Sequence, residues 1–152
     1  MLALIQRTTY SRVEVDGEII ADIRQGITAL IGIEKGDSQA DARRLCERLL
    51  GYRIFSDQEG KMNLSIKDIE GGVLLVPQFT LAADTSKGMR PSFSTAAAPD
   101  FSQQLFEYFC HYCATQHPKI ETGCFGADMQ VTLCNDGPVT FMLQVINRKS
   151  SS

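Results

Sequence analysis

Four runs at the start of the chain, residues 1–8, 11–16, 18–24 and 26–33, alternate or run apolar and are enriched in β-branched side chains. Asp16-Gly17 stands between the second and third, and that dipeptide favours the positive φ angles of a tight hairpin. A chain that opens this way builds a meander, and later elements must cover its apolar face. The period then changes. In "DSQADARRLCERLLGY", Ala42, Leu45, Cys46 and Leu49 recur at helical spacing, and Ser38 with Asp41 resembles a capping box. The spacing predicts a helix with one buried stripe.

"SDQEGKMN" (56–63) is turn-rich, whereas "GGVLLVPQFTLAAD" (71–84) suits a central strand as far as Pro77, which has no N–H to donate to a ladder. The strand is expected to end or bulge there. "DTSKGMRPSF" (84–93) reads as a loop. Pro99 and Asp100 then open a second helix, with Leu105, Phe106, Phe109, Cys110 and Cys113 on its apolar face. Two strands, 127–134 and 139–147, close the chain around a Gly137-Pro138 corner. The expected fold is α/β: a single domain over residues 1–147 with a mixed, largely antiparallel sheet and two main helices, and a flexible tail at 148–152. Each half runs strands, helix, strands, which suggests two similar halves.

The 152 residues, 43% hydrophobic and 22% charged, fit one globular unit. A net charge of −3 argues against a general coat on DNA or RNA, because non-specific duplex binding needs a clustered positive field. Any nucleic-acid contact must be local. The opening "MLALIQRTTYSRVEV" lacks the length and flanks of a signal peptide, no apolar run approaches membrane length, and five cysteines without a secretion signal favour reduced thiols. The expectation is a cytoplasmic protein with no disulfide and no membrane contact.

Side-chain chemistry is sparse. Cys110 and Cys113 form a CxxC, yet they fall on a predicted helix without a second pair, and His111 and His117 lack ligand spacing; core thiols are the simpler reading, with no metal. There is no GxSxG elbow and no evident histidine partner for a nucleophile. Thr80 in "QFTL" is either a nucleophile or a strand threonine, and Lys87, Gly88 and Arg90 either meet a phosphate or line a solvated loop. Arg7 is either half of a surface ion pair or a buried hydrogen-bonding brace. The corner in "NDGPVTF" is either mechanical, a rigid turn, or chemical: a cis bond before proline costs about 0.5–1 kcal/mol and can aim two carbonyls at one ligand donor.

Taken together, "LALIQR", "RLCERLLGYRIFSDQEGKMNLS", "VPQFTLAADTSKGMRPSF" and "MQVTLCNDGPVTFMLQV" resemble the D-aminoacyl-tRNA deacylases, also called the D-tyrosyl-tRNA deacylase family, from Met1 to about Asn147. The resemblance implies a homodimeric, cofactor-independent esterase that removes D-amino acids from the 3′ end of mischarged tRNA, with sites at the subunit interface. It implies that Gly137 and Pro138 of one subunit enter the other's site and that Arg7 braces them. By the same resemblance, Gln78 orients ribose or ester, Phe79 packs near the terminal nucleotide, Met129 touches the adenine, and the terminal 2′-hydroxyl helps activate water. Phe79 and Thr80 offer backbone N–H groups for an oxyanion hole. Glycyl-tRNA is expected to be hydrolysed too, since glycine has no side chain to reject. One position departs from the family pattern: Pro77 precedes Gln78 where serine is usual.

Overall fold

A computed structural model describes residues 1–146. The anticipated tail therefore lies outside the described residues. Strand β1 (Leu2–Val15) is the spine of the sheet, with β2 (Glu18–Ile23) and β3 (Gly26–Gly32) sharing one of its edges. The hairpin between β1 and β2 turns at Asp16 (φ 51°) and Gly17 (φ 80°), the two positive angles the dipeptide was expected to supply. Helix α1 (Gln39–Gly51) follows; Ser38 accepts from the Asp41 N–H while the Asp41 carboxylate accepts from the Ser38 N–H, so the capping box is closed in both directions.

A small hairpin of β4 (Phe55–Ser56) and β5 (Met62–Leu64) and a single helical turn, α2 (Ile66–Ile69), lead into β6 (Gly72–Pro77). Helix α3 (Pro99–Gln116), β7 (Ile120–Thr122) and β8 (Gln130–Gln144) complete the chain. The main sheet runs β2-β1-β3-β6-β7, with β8 paired to β1. It is mixed and largely antiparallel, as expected: β1 pairs antiparallel with β2, β3 and β8, while β3–β6 and β6–β7 are parallel. No helix among the described residues is long and apolar enough to cross a membrane.

Alternation along the strands sorts side chains to two faces. Ala3, Ile5, Ile27, Ile31, Val73 and Leu75 meet Leu45, Leu49, Phe106 and Phe109 of α1 and α3 in the main core. Leu74, Val76, Ala21, Ile23 and Val13 form a smaller cluster, against which Leu30 and Met129 pack. Strand β1 thus serves both, through Ala3 and Ile5 at one end and Val13 at the other.

Three expectations need correction. The runs 1–8 and 11–16 are one strand, because β8 and the β2–β3 pair hold its two edges throughout. The expected strands 127–134 and 139–147 are likewise one strand, 130–144, antiparallel to β1 on both sides of Gly137-Pro138. The corner is therefore a bulge: between the pairs Gln6↔Thr140 and Thr8↔Asn135, β1 advances two residues and β8 advances five. Cys110, expected on the apolar face of the second helix, is half-buried and packs against the main core, and Ser102, not expected there, is buried and bonds the Ala97 carbonyl.

Candidate active site

Strand β6 ends as its proline requires. Even-numbered N–H groups face β3, as Gln78 N–H to Ile31 O at 2.8 Å shows, and odd-numbered ones face β7, as Val73 N–H to Lys119 O shows. Pro77 falls on the β7 side, one step beyond Gly123 N–H to Leu75 O at 2.8 Å, and there the pairing of β6 with β7 stops. The chain then tightens into a 3₁₀ turn, Phe79–Ala82. Its first internal bond runs from Leu81 N–H to Gln78 O, which leaves the leading N–H groups of Phe79 and Thr80 unused by the turn.

Beside this turn a cleft of about 460 Å³ is lined by Gln78, Phe79 and Thr80, by Met129, and by Phe125, Gly126, Ala127 and other residues. It opens at the carboxyl end of the parallel strands, where α/β sheets commonly bind ligands. Its lining side chains (Val76, Pro77, Gln78, Phe79, Thr80, Pro99, Phe125, Ala127, Met129 and Val131) include no acid, base or thiol. The Gln78 amide donates to Thr80 Oγ1, which turns the hydroxyl toward an amide rather than a base. His117 is far from it, buried at the other end of β6 with Nε2 donating to Gly71 O at 2.7 Å, and His111 is exposed on α3. The Met129 sulfur accepts from Cys124 N–H at 3.4 Å and packs beside Pro77 through Gly123. It both supports the second cluster and lines the cleft.

Arg7, Gly137 and Pro138 lie elsewhere. The Arg7 guanidinium is largely buried; Nε donates to Asp136 O at 3.0 Å and Nη1 to Ile54 O at 2.8 Å. It therefore grips the peptide that leads into the corner and ties it to the segment after α1, a brace to which the Asp136 carboxylate, 3.6 Å from Nε, adds an ion pair. Asn135 pins the other side, its Oδ1 accepting from Val139 N–H at 2.9 Å and its Nδ2 donating to Thr140 Oγ1 at 2.7 Å. Gly137 has φ 129° and its peptide to Pro138 is cis. A Cβ at Gly137 would stand 2.8 Å from Val139 Cγ2 and 3.0 Å from Arg7 Nη2, so side chains are excluded from the corner by packing as well as by φ. Gly137 and Pro138 themselves are exposed.

The seven expected residues thus form two groups within one protomer. Four share the cleft and three build the corner. Strand β8 reaches both, since its residue Val131 also lines the cleft, but the facing positions on β1, Val13 opposite Val131 and Arg7 at the corner, lie six residues apart, about 20 Å at the ordinary strand rise. Sequence reasoning missed Phe125 and the Ile54 carbonyl, which carry no local signal, and Asn135 and Phe93, which stand in stretches already singled out. Phe93 stacks on Phe79 with ring centroids 4.7 Å apart. The five cysteines are free, and no group of three or more His, Cys, Asp or Glu among the described residues is arranged to hold a metal. A larger cleft of about 650 Å³ opens at the opposite end of β6, around Asp22, Arg24, Glu70 and Lys119, where Lys119 Nζ is engaged by Glu70 O.

The mixed sheet thus carries, at the carboxyl end of its parallel strands, a cleft lined by apolar and amide or hydroxyl side chains. Residues 4–144 match the family described as D-Tyr-tRNA(Tyr) deacylase. The chain is 59% identical to the D-aminoacyl-tRNA deacylase of Citrobacter koseri and 58% to that of Escherichia coli K12, in each case over 95% of this chain and all of the relative. Two solved structures share the fold. One is titled c-Myc DNA Unwinding Element Binding Protein, with a TM-score of 0.92 and 35% identity over 97% of this chain and all of that one. The other, titled as a probable eukaryotic D-amino acid tRNA deacylase, has a TM-score of 0.80 and 18% identity over 95% and 98%. The chain belongs to the D-Tyr-tRNA(Tyr) deacylase family, and it is a hydrolase of that family.

Proposed function

We propose that this protein hydrolyses the ester of D-aminoacyl-tRNA, in the cytoplasm and as a homodimer, and spares the L-ester by steric rejection at the Gly137-Pro138 corner. One observation supports the reading beyond family membership: each protomer carries a cleft and a braced corner and keeps them apart, which suits two halves of a site shared between copies. A second copy completes both at once. Tyr10, Ile19, Ile20, Val131, Phe141 and Met142 on β1, β2 and β8 are large apolar residues left exposed, the kind of surface a partner covers.

The chemistry follows from what the cleft offers. An ester carbonyl that develops negative charge is stabilised by the leading N–H groups of Phe79 and Thr80; losing one such donor typically costs about 3 kcal/mol. Gln78 orients the ribose or the ester. Since no lining side chain titrates, activation of water falls to the substrate, through the 2′-hydroxyl beside the ester. Met129 supplies apolar contact for the terminal adenine. At the corner, backbone carbonyls accept from the α-amino group while the glycine–proline wall faces the α-carbon. A D-side chain projects outward and is not gripped, so tolerance is broad; an L-side chain enters the wall and is repelled. Glycine escapes the filter and is released from its tRNA as well.

A single assay tests this. Purified protein, with a chelator present, is incubated with matched D- and L-aminoacyl-tRNA and with glycyl-tRNA, and free amino acid is measured. Rapid loss of the D- and glycyl esters with the L-ester intact is the expected result. Wholly inert glycyl-tRNA beside active D-hydrolysis would refute purely steric selection, and a trapped acyl-enzyme on Thr80 would replace the water mechanism.

A further inference from the structure

The loop 84–93 is pinched at its base and open at its tip. Asp84 and Ser92 exchange two backbone bonds, N–H to O at 2.7 Å and 2.9 Å, and the Asp84 carboxylate accepts from Ser86 N–H at 2.9 Å. Beyond the base, Thr95 Oγ1 anchors the chain to Ala82 O at 2.7 Å, next to the 3₁₀ turn of the cleft. These bonds fix the base of the loop, and the long side chains of the tip take no part in them. Lys87 and Arg90 are exposed and have no ion pair or hydrogen bond among the described residues, and Met89 between them is 100% exposed. The one acid of the loop is turned back into its base.

Directly after the base comes Phe93, whose ring stacks on Phe79 at an interplanar angle of 24°. Phe79 lines the cleft and Phe93 does not, so the pair extends an aromatic surface from the cleft outward. Both rings stay exposed, 48% for Phe79 and 40% for Phe93. Two stacked phenylalanines left in solvent, with two unpaired cations on the loop that ends in one of them, match what single-stranded RNA needs: π faces for splayed bases and charges for the phosphates between them. A duplex would need a far wider positive surface than a chain of net charge −3 provides.

We propose that Phe93, Lys87 and Arg90 form a second nucleotide subsite, which holds the unpaired nucleotides preceding the terminal one: Phe93 packs against a base, and the two cations contact the phosphates. This rests on the deacylase reading, in which the terminal nucleotide and its ester occupy the cleft. The subsite adds affinity for the RNA tail and leaves the chemistry to the cleft.

The test compares a D-amino acid esterified to full-length tRNA with the same amino acid esterified to adenosine alone. The double variant Lys87→Ala/Arg90→Ala is expected to raise KM for the tRNA ester about tenfold with kcat held, and to leave the adenosine ester within about twofold of wild type. The salt dependence of kcat/KM on tRNA should flatten by about 0.7 in log–log slope per contact removed. Phe93→Leu should weaken the tRNA ester about fivefold and Phe93→Trp restore it. Equal losses on both esters, or no loss and an unchanged salt slope on tRNA, overturn the subsite. Wild-type protein inert toward both esters overturns the deacylase reading itself, and this inference with it.

Discussion

Arg7 joins two segments with one guanidinium, and its value lies in the fork. Replacement by alanine leaves the Asp136 and Ile54 carbonyls without their charged donor, and hydrogen bonds of that kind contribute about 1.5–3 kcal/mol each. Arg7→Ala is therefore expected to lower kcat/KM for D-aminoacyl-tRNA at least tenfold and to narrow the D/L ratio, since a loosened corner yields to the L-side chain. Lysine cannot rescue it, because a single ammonium does not present two donors in fixed planes. A D/L ratio unmoved by Arg7→Ala would remove Arg7 from the discrimination. At Gly137 the expectation is sharper. Gly137→Ala must displace Val139 or the guanidinium and hold φ 129° with a side chain, a strain of about 1–3 kcal/mol, so activity should collapse while the fold, read by circular dichroism, persists. Full activity in a folded Gly137→Ala protein would place the site elsewhere. Pro77, by contrast, stands where the pairing of β6 with β7 ends, so the wild-type protein should be active and Pro77→Ser should change little; an inactive wild type rescued by serine would reverse that account. Arg7 was ambiguous in the sequence because its two hydrogen-bond acceptors are main-chain carbonyls, which no side-chain pattern reveals, and its ion-pair partner, Asp136, is 129 residues away.

Among the elements, α1 was the most legible and the 3₁₀ turn the least. The helix announces itself through spacing and through Ser38 and Asp41, whose bonds are local and independent of the rest of the fold. Ser38→Ala is expected to destabilise the protein by about 1 kcal/mol in denaturant unfolding without altering the activity ratio between D and L esters. The turn α2 uses the same device: Asp68 accepts from the Ser65 N–H, which holds its carboxyl below the usual carboxylate range. A depressed folded pKa gives stability that is present above the unfolded value near 3.8 and is lost as pH falls through the folded value. Asp68→Asn should thus flatten the acid limb of a stability–pH curve, and an unchanged limb would show that the bond contributes nothing. Four-residue pieces such as α2 and Phe79–Ala82 have too few residues to show a period, and the expectation that the strand ends or bulges at Pro77 says nothing of the turn that follows. Only the end of β7 alongside β6, together with Pro77, explains why the chain turns there.

At the scale of the whole molecule, function hangs on whether two protomers share their sites. Gly137→Ala and Phe79→Ala proteins, each inactive alone, are expected to regain up to about a quarter of wild-type activity when mixed and allowed to exchange subunits, because one interface in such a heterodimer unites an intact corner with an intact cleft. No recovery, or a protein that remains monomeric at assay concentration, would confine the site to one chain. The sequence by itself determined the local matters: the hairpin at Asp16-Gly17, the capped helix α1, the end of β6 at Pro77, and the stretches in which the functional residues stand. These rest on φ preferences, caps and periodicity, all of which act over a few residues. Only the tertiary structure decided that residues 130–144 are one bulged strand along β1, that Arg7 clamps the bulge, and that cleft and corner lie apart. Strand pairing joins residues more than a hundred positions apart, as Ile5 with Phe141, and no local preference encodes which edge a strand will find.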